Sequence, residues 1–456
     1  MTAPVEVVIV GGGASGALVA ARVLDASIAR PMRVRVIEGS GRLAEGVAYG
    51  TEDLDHLLNV RAGGMSADPS YPDAFAKWAT AKGLGDADTF VPRRHYRTYL
   101  QDHVRAAAEG ATDATFDLVA DRAVGIAPAG GRIEVVVASG TRVRADRVVL
   151  AVGNAAPGTP PPLRPLAGHP RFVSDPWAPG ALDQAQRGAA VLLVGAGLTM
   201  IDIAITLARG VDSYPGPTMS ALSRHGLLPQ VHLPARPQHD LDIIDLERDP
   251  TDLLGLVQRM RTSAATVENG DDWRDVVDSV RPYVNAVWQR AGAADQRAFL
   301  VHLSRFWDVH RHRMSPPTGA RLQALIADGR LSTHRGRIVR AEVDGPAVVV
   351  TALIDGERRE LRPDAVINCT GPGRSWEAPG NPVIVDLIHK GLAVPDPHGI
   401  GLATTADGRL LGRDQQVMDD LLVMGPPRRG TLFETTAIPE LRSQALHIAD
   451  HIALGG

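Results

Sequence analysis

Six residues near the start of the chain, Val5-Glu6-Val7-Val8-Ile9-Val10, run straight into Gly11-Gly12-Gly13-Ala14-Ser15-Gly16, and an Ala-rich stretch follows from Ala17 to Val23. The β-branched run reads as a buried strand, the glycines as a turn and the Ala-rich stretch as a helix. Gly11, Gly13 and Gly16 fit the spacing G-x-G-x-x-G. In that pattern one glycine makes the tight turn, one lets the backbone approach a pyrophosphate, and one lets helix and strand pack closely. With Ser15 they form a helix N-terminus whose N–H groups are free to face an anion. The next strand, Val34 to Glu38, ends in a carboxylate where an adenosine ribose would be held. The alternative is a glycine turn in an unrelated α/β fold.

The pattern returns at Ala190 to Asp202. Ala190-Val191-Leu192-Leu193-Val194 leads into Gly195-Ala196-Gly197-Leu198-Thr199-Met200. Met200 stands where the third glycine would be, so helix and strand must pack more loosely. Gly195, Gly197 and Thr199 keep the part of the motif nearest a pyrophosphate. The following strand, Thr218 to Leu222, ends in Ser223-Arg224 with no acid. An arginine there pairs with a 2′-phosphate and favours NADP over NAD; an ordinary surface arginine is the alternative. Two such motifs predict a flavoprotein with two cofactors, FAD at the first site and NADPH at the second, with hydride passing to the flavin.

A chain of 456 residues is too long for one core. The single cysteine, Cys369, excludes an intramolecular disulfide framework, a C-x-x-C redox pair and a Cys-rich metal site. A net charge of −4 argues against a nucleic-acid footprint. No stretch is long and apolar enough to span a bilayer, and no basic segment precedes the first apolar run. A cytoplasmic protein without membrane attachment is expected.

Further strands are predicted at Phe116–Ala120, Gly125–Ala127 and Ile133–Ala138, as an antiparallel meander. Buried strands end at Gly153, Gly371 and Gly425, where small residues let a cofactor or a second domain pass close to the backbone. The last strand leads into a helix from Ile438, and Pro439 fits its first turn. N–H groups at Ala437 to Glu440 suit a flavin edge that gains negative charge on reduction. Ala155 to Pro170 is Pro-rich and reads as a linker. Residues 241–330 read as helices in three runs, Asp252–Met260, Trp273–Gln289 and Asp295–Met314, the last stopped by Ser315-Pro316-Pro317. Phe299, Leu303, Phe306 and His310 share one face of the last run, extended by Arg313. His310-Arg311-His312-Arg313 has no convergent set of ligands for a metal, and none is expected.

Taken together, these segments resemble the FAD–NAD(P)-binding protein family, a relative of the class B flavin monooxygenases. The resemblance covers nearly the whole chain. It rests on Gly11/Gly13/Gly16, Gly46-Val47-Ala48-Tyr49-Gly50-Thr51, His56-Leu57-Leu58-Asn59-Val60, Gly195 to Met200, Ser223-Arg224 and Gly430 to Glu440. It implies that FAD is held by the first glycine loop, Glu38 and the C-terminal segment. It also implies that the loop from Leu58 through Val60 to Met65 approaches the isoalloxazine ring. Asn59 and Arg61 on that loop are the candidate catalytic residues. A loop-capping Asn and a solvated Arg are the alternatives.

Better-known relatives reduce FAD with NADPH and transfer one atom of molecular oxygen, through a C4a-hydroperoxyflavin, to an amine, sulfide or ketone. The segment Gly168 to Trp177 keeps the tryptophan of the Baeyer–Villiger fingerprint but not its histidine, which lowers the case for ketones and leaves amine N-hydroxylation favoured. A flavin reductase without oxygenation and a non-catalytic redox-sensing flavoprotein remain as alternatives. The expected partners are a small-molecule substrate and oxygen, with a homodimer as the candidate assembly. The expected fold is α/β, with two doubly wound Rossmann-like dinucleotide-binding domains. The FAD domain is discontinuous, 1–160 and 336–456, and the inserted NAD(P) domain, 185–335, carries a helical subdomain at 241–330.

Overall fold

The computed structural model describes residues 3–455 except 212–213, 236–240, 242, 245–252, 267–271, 374–375 and 377–379. The chain begins with β1 (Val5–Val10), α1 (Ala14–Ala26) and β2 (Met32–Ile37), and continues through α2 (Ala74–Ala81) and α3 (Arg93–Gly110) to β3 (Ala114–Val119). Three short strands follow, β4 (Ala123–Ala129), β5 (Arg132–Val137) and β6 (Arg142–Ala145), and then β7 (Arg147–Leu150). After β8 (Phe172–Val173) and α4 (Asp183–Gln186) the opening pattern repeats as β9 (Ala190–Val194), α5 (Leu198–Ala208) and β10 (Thr218–Ser223). The helical stretch is α6 (Leu253–Thr266), α7 (Trp273–Val280), α8 (Val284–Arg290), α9 (Ala293–His302), α10 (Ser304–Arg311) and α11 (Pro316–Ala327). The chain then runs through β11 (Leu331–Asp344), β12 (Ala347–Ile354), β13 (Glu357–Leu361), β14 (Ala365–Asn368) and α12 (Pro382–Lys390). It closes with β15 (Arg409–Leu411), β16 (Val417–Val423) and α13 (Ile438–Leu454).

The strands form two doubly wound sheets. In the first the order is β15-β16-β7-β1-β2-β3, parallel from β16 to β3. In the second it is β13-β12-β11-β10-β9-β14-β8, parallel from β11 to β8. β1 sits between β2 and β7, and β9 between β10 and β14. The strand order therefore reverses beside each glycine loop, which opens a crevice at the carboxyl ends of the strands. Alternation along β1 feeds two cores. Val7 and Ile9 face α1, α3 and α13, and Val8 and Val10 face the β4–β6 meander and α12. On β9, Val191 and Leu193 face α5, while Leu192 and Val194 face the β11–β12 hairpin.

Several boundaries differ from the sequence reading. Phe116 lies on β3, a parallel edge strand of the first sheet, and the meander is β4–β6. Residues 331–368 hydrogen-bond into the second sheet, so the return to the first sheet comes after β14 and not at 336. The Pro-rich stretch is no free linker, because Leu163 and Leu166 are fully buried in the second unit's core. The run from Asp295 breaks at Leu303 into α9 and α10. The predicted common face breaks with it: Phe299 packs on Trp288 and Phe433, and Phe306 lies beside His225. Ser315 caps the start of α11 by accepting from the Thr318 N–H, with Pro316 and Pro317 in its first turn. Asp252, predicted as the first helical residue of its run, is outside the described residues; α6 begins at Leu253.

Candidate functional site

Gly11, Gly12 and Gly16 of the first loop are each required by what surrounds them, since a Cβ on any of them would come within 3.0 Å of another atom. Gly11 has φ +104°, and a Cβ on it would lie 2.4 Å from the Ala151 carbonyl oxygen. A Cβ on Gly16 would lie 1.9 Å from the Gly11 oxygen, so helix and turn touch backbone to backbone. The Gly12 N–H donates to Glu38 Oε2 at 2.8 Å, and the Ser40 N–H donates to Oε1 at 3.1 Å. Glu38 is thus fixed across the mouth of the loop. Gly13 is the N-cap of α1, with no side-chain cap and no acid in the first turn, which leaves its N–H groups open to an anion. Gly425 (φ +78°) crosses against Ser15: a Cβ on it would come within 2.8 Å of the Ser15 hydroxyl. The last strand therefore closes over the start of α1.

The second loop repeats this scheme with one change. Gly195 has φ +120°, and its Cβ would meet the Cys369 carbonyl oxygen at 2.4 Å. Gly197 is the N-cap of α5, again without a side-chain cap, and Thr199 lies in the first turn. Met200 is fully buried among the apolar residues under α5. Ser223 ends β10, where its hydroxyl accepts from the Gly226 N–H at 3.1 Å. Arg224 is exposed. Gly153 and Gly371 both have positive φ, at the exits of β7 and β14. Burial pushes the Cys369 thiol well above its ordinary range, so it is a packing residue.

The loop predicted to face the flavin is held from two sides. Leu58 N–H donates to Val91 O, and the loop turns at Ala62–Gly64 toward buried Met65. The Asn59 carbonyl accepts from His232 Nε2 at 3.0 Å, while its half-buried side-chain amide has no partner among the described residues. Val60 is half-buried beside it. Arg61 is a strut between loops: its guanidinium lies 5.0 Å from the Phe90 ring centre, donates to Leu233 O at 2.5 Å and sits 3.6 Å from Asp88. Burial, with help from Arg313, pushes His232 down to about 4, so it stays neutral with its proton on Nε2.

The helical stretch reaches the same place through the C-terminal segment, a set of contacts that no local pattern announced. Asn285 pairs with both backbone groups of Glu434, donating to its carbonyl at 2.7 Å and accepting from its N–H at 2.9 Å. Trp288 Nε1 donates to Gly430 O, and Trp307 Nε1 donates to Glu434 Oε1 at 3.0 Å. Arg281 grips Glu440 through two bonds of 3.0 and 3.1 Å. Burial raises the Glu434 carboxyl, but Arg311, His312 and Trp307 together hold it below the usual range. Ile438 starts α13 fully buried, and Ala437 supplies no side-chain cap. Arg313 is paired with Asp278 at 2.5 Å. Among the described residues no group of three or more His, Cys, Asp or Glu is arranged to hold a metal.

A polar seam joins the two units behind the loop. His56 contacts the Thr51 hydroxyl at 2.7 Å, the Thr206 hydroxyl at 3.0 Å and Asp202 O at 3.2 Å, and packs edge-on against Trp177. Arg93 pairs with buried Asp202 at 2.5 Å and lies over Trp177. Asp53 binds Arg209 and Thr206. His56 and Trp177 are thus used in joining the units.

Residues 8–155 match the FAD-NAD(P)-binding family model. No curated protein matches the chain. Among solved structures, the L-lysine 6-monooxygenase of Pseudomonas syringae is 18% identical, with TM-score 0.66 over 99% of this chain and 98% of that one. The ornithine hydroxylase PvdA of Pseudomonas aeruginosa is 15% identical, with TM-score 0.63 over 99% of this chain and all of that one. The ornithine N-hydroxylase KtzI of Kutzneria sp. 744, in a structure with reduced FAD, NADP+ and L-ornithine, is 14% identical, with TM-score 0.62 over the full length of both. The chain has the fold of these enzymes from end to end. Among its described residues no helix is long and apolar enough to cross a membrane.

Proposed function

We propose that the chain is an FAD-dependent, NADPH-consuming monooxygenase that N-hydroxylates a small amine. The observation that carries the reading is the pair of backbone cradles at Gly11/Gly16 and Gly195, each walled by a neighbouring strand's carbonyl where a Cβ would stand. Such a cradle has a purpose when a pyrophosphate lies against it. The family match over 8–155 and the shared fold of amine hydroxylases support the same reading.

In this reading Gly11, Gly13, Ser15 and Gly16 take the FAD pyrophosphate, Glu38 the adenosine ribose, and the α13 start at Ile438 the electron-rich flavin edge. Gly195, Gly197 and Thr199 take the NADPH pyrophosphate, and Ser223 and Arg224 its 2′-phosphate. Gly153, Gly371 and Gly425 let the bound cofactors pass. Bound flavin supplies hydride acceptance and oxygen activation. The free Asn59 amide orients the reacting partners by hydrogen bonding. Arg61 and His232 keep that loop in place, and Val60 and Met65 exclude water from the ring face, which prevents wasteful release of hydrogen peroxide. Glu434, held by Asn285, Trp307 and Arg311, fixes the approach of the C-terminal segment.

The test is a panel of small primary amines, scored by NADPH-dependent oxygen consumption and by a product heavier by one oxygen atom. A coupled product from one amine class is expected. NADPH oxidation that yields hydrogen peroxide alone with every amine would replace this reading with a flavin reductase.

A further inference from the structure

Guanidinium groups with no protein partner among the described residues stand at the second glycine loop and at the turn that follows β10. Arg305, on α10 of the helical stretch, reaches back to it: Nη2 lies 4.0 Å from where a Cβ on Gly197 would stand. Its helix is seated against the β10 exit, where the Phe306 ring centre lies 6.1 Å from that of His225. Arg305 is half-buried yet makes no ion pair or hydrogen bond through its side chain with any described residue. By contrast, Arg311 and Arg313, farther along the same segment, are both matched by carboxylates, Glu434 and Asp278.

A second cation comes from the neighbouring strand. Arg335 on β11 is the register partner of Ser223, so the two side chains share one face of the sheet at its carboxyl end. Its Cβ lies 3.1 Å from where a Cβ on Gly226 would stand, in the turn that follows Arg224. Arg335 and Arg224 are both exposed, and neither has a carboxylate among the described residues.

We propose that Arg305 is a phosphate ligand of the nicotinamide dinucleotide at its pyrophosphate, and that Arg335 joins Arg224 at the 2′-phosphate. The inference rests on the second loop being the NADPH site. Gly197 opens the α5 N-terminus, where a pyrophosphate would lie, and Arg305 faces that point from across the crevice. Ser223, Arg224 and Arg335 stand where the adenosine ribose ends, beyond the second strand. Guanidinium forks suit both groups because they bind phosphate oxygens in pairs. The arrangement also links nucleotide to flavin. α10 carries Arg305 at one end and, two and six residues on, Trp307 and Arg311, which hold Glu434.

The two roles separate by ligand. The experiment is calorimetric titration of the oxidised FAD holoenzyme with NADP+ and with NAD+, on wild type, Arg305→Ala and Arg335→Ala. Arg305→Ala is expected to weaken both ligands by about tenfold, as loss of a charge-assisted bond would. Arg335→Ala is expected to weaken NADP+ by about tenfold and leave NAD+ unchanged. Arg305→Gln keeps the side-chain length, loses the charge and gives the same reading should the alanine variant fail to fold. Unaltered binding of both ligands in the Arg305 variants, with wild type binding NADP+, overturns the pyrophosphate role. Equal loss of both ligands in Arg335→Ala overturns the 2′-phosphate role. Wild type binding neither ligand overturns the site reading beneath both.

Discussion

The two glycine loops share one register. The Gly11 N–H donates to Ile37 O and the Gly195 N–H donates to Leu222 O, each at 2.9 Å. Val10 pairs with Ile37 as Val194 pairs with Leu222. Glu38 and Ser223 are therefore the same position in two copies of one design. So are Ala151 and Cys369, whose carbonyls wall the two turns, and so are Gly16 and Met200. The copies differ at the exit of the second strand and at the position that sets how tightly the helix sits. Glu38 puts a carboxylate across the first loop, while Ser223 leaves the second to arginines. Gly16 lets α1 rest on the Gly11 oxygen, while a buried Met200 replaces backbone contact with side-chain packing. The turn is thus fixed by sterics in both copies, while the residue at the exit of the second strand differs between them, Glu38 in one and Ser223 in the other.

The third loop position should give the largest effects. Gly16→Ala forces a Cβ into the Gly11 carbonyl and should cost about 3 kcal/mol or more, with loss of FAD from the purified protein. Met200→Ala opens a cavity under α5 and should cost a similar ~3 kcal/mol while FAD stays bound. Denaturant melts together with flavin absorbance separate the two. Retention of FAD and stability by Gly16→Ala would mean that the first loop is no tighter than the second.

Acid stability should come next, through the contact of His232 with the Asn59 carbonyl, which joins the second unit to the loop at 58–65. Burial, with the Arg313 charge, holds His232 down to about 4 in the folded protein, against the ordinary 6.5 of an imidazole in the unfolded chain. As pH falls below about 6.5 the unfolded chain gains this proton and the folded one does not until near 4. Stability should therefore fall across that window, by on the order of 2–3 kcal/mol from this residue. His232→Gln should flatten the profile between those limits, and an identical profile in wild type and variant would remove His232 from the account.

The smallest effect sharpens the ligand comparison. Ser223→Glu gives the second loop the acid of the first and should shift preference from NADP+ toward NAD+ by about tenfold, read as the ratio of their dissociation constants. An unchanged ratio would show that the equivalence with Glu38 holds for backbone register alone.

What could be read from the residues followed the range of the interaction. The glycine turns, Glu38, the strand into Gly425 and the helix from Ile438 are all settled within a few neighbours, and they stand where the sequence placed them. Phe116 was misplaced because a parallel edge strand alternates just as a meander strand does. The stretch after 336 was misplaced because β11 runs parallel to β10 in its first half and antiparallel to β12 in its second. Ser315-Pro316-Pro317 ends one apolar run and begins another, and local rules allow both. Arg305, Asn285 and Trp288 carried no local signal at all, since each acts on a segment far along the chain.

The sequence by itself determined that two strand–turn–helix units would form, and that one would carry an acid and the other an arginine. Glycine spacing and β-branched runs act through sterics that need no distant partner. Only the tertiary structure decided which strands joined which sheet, that Arg305 on α10 would reach the second loop, and that the C-terminal segment would be gripped by Asn285, Trp307 and Arg311. Those outcomes depend on burying faces against one another and on pairing charges removed from water, and neither is defined until the whole chain has packed.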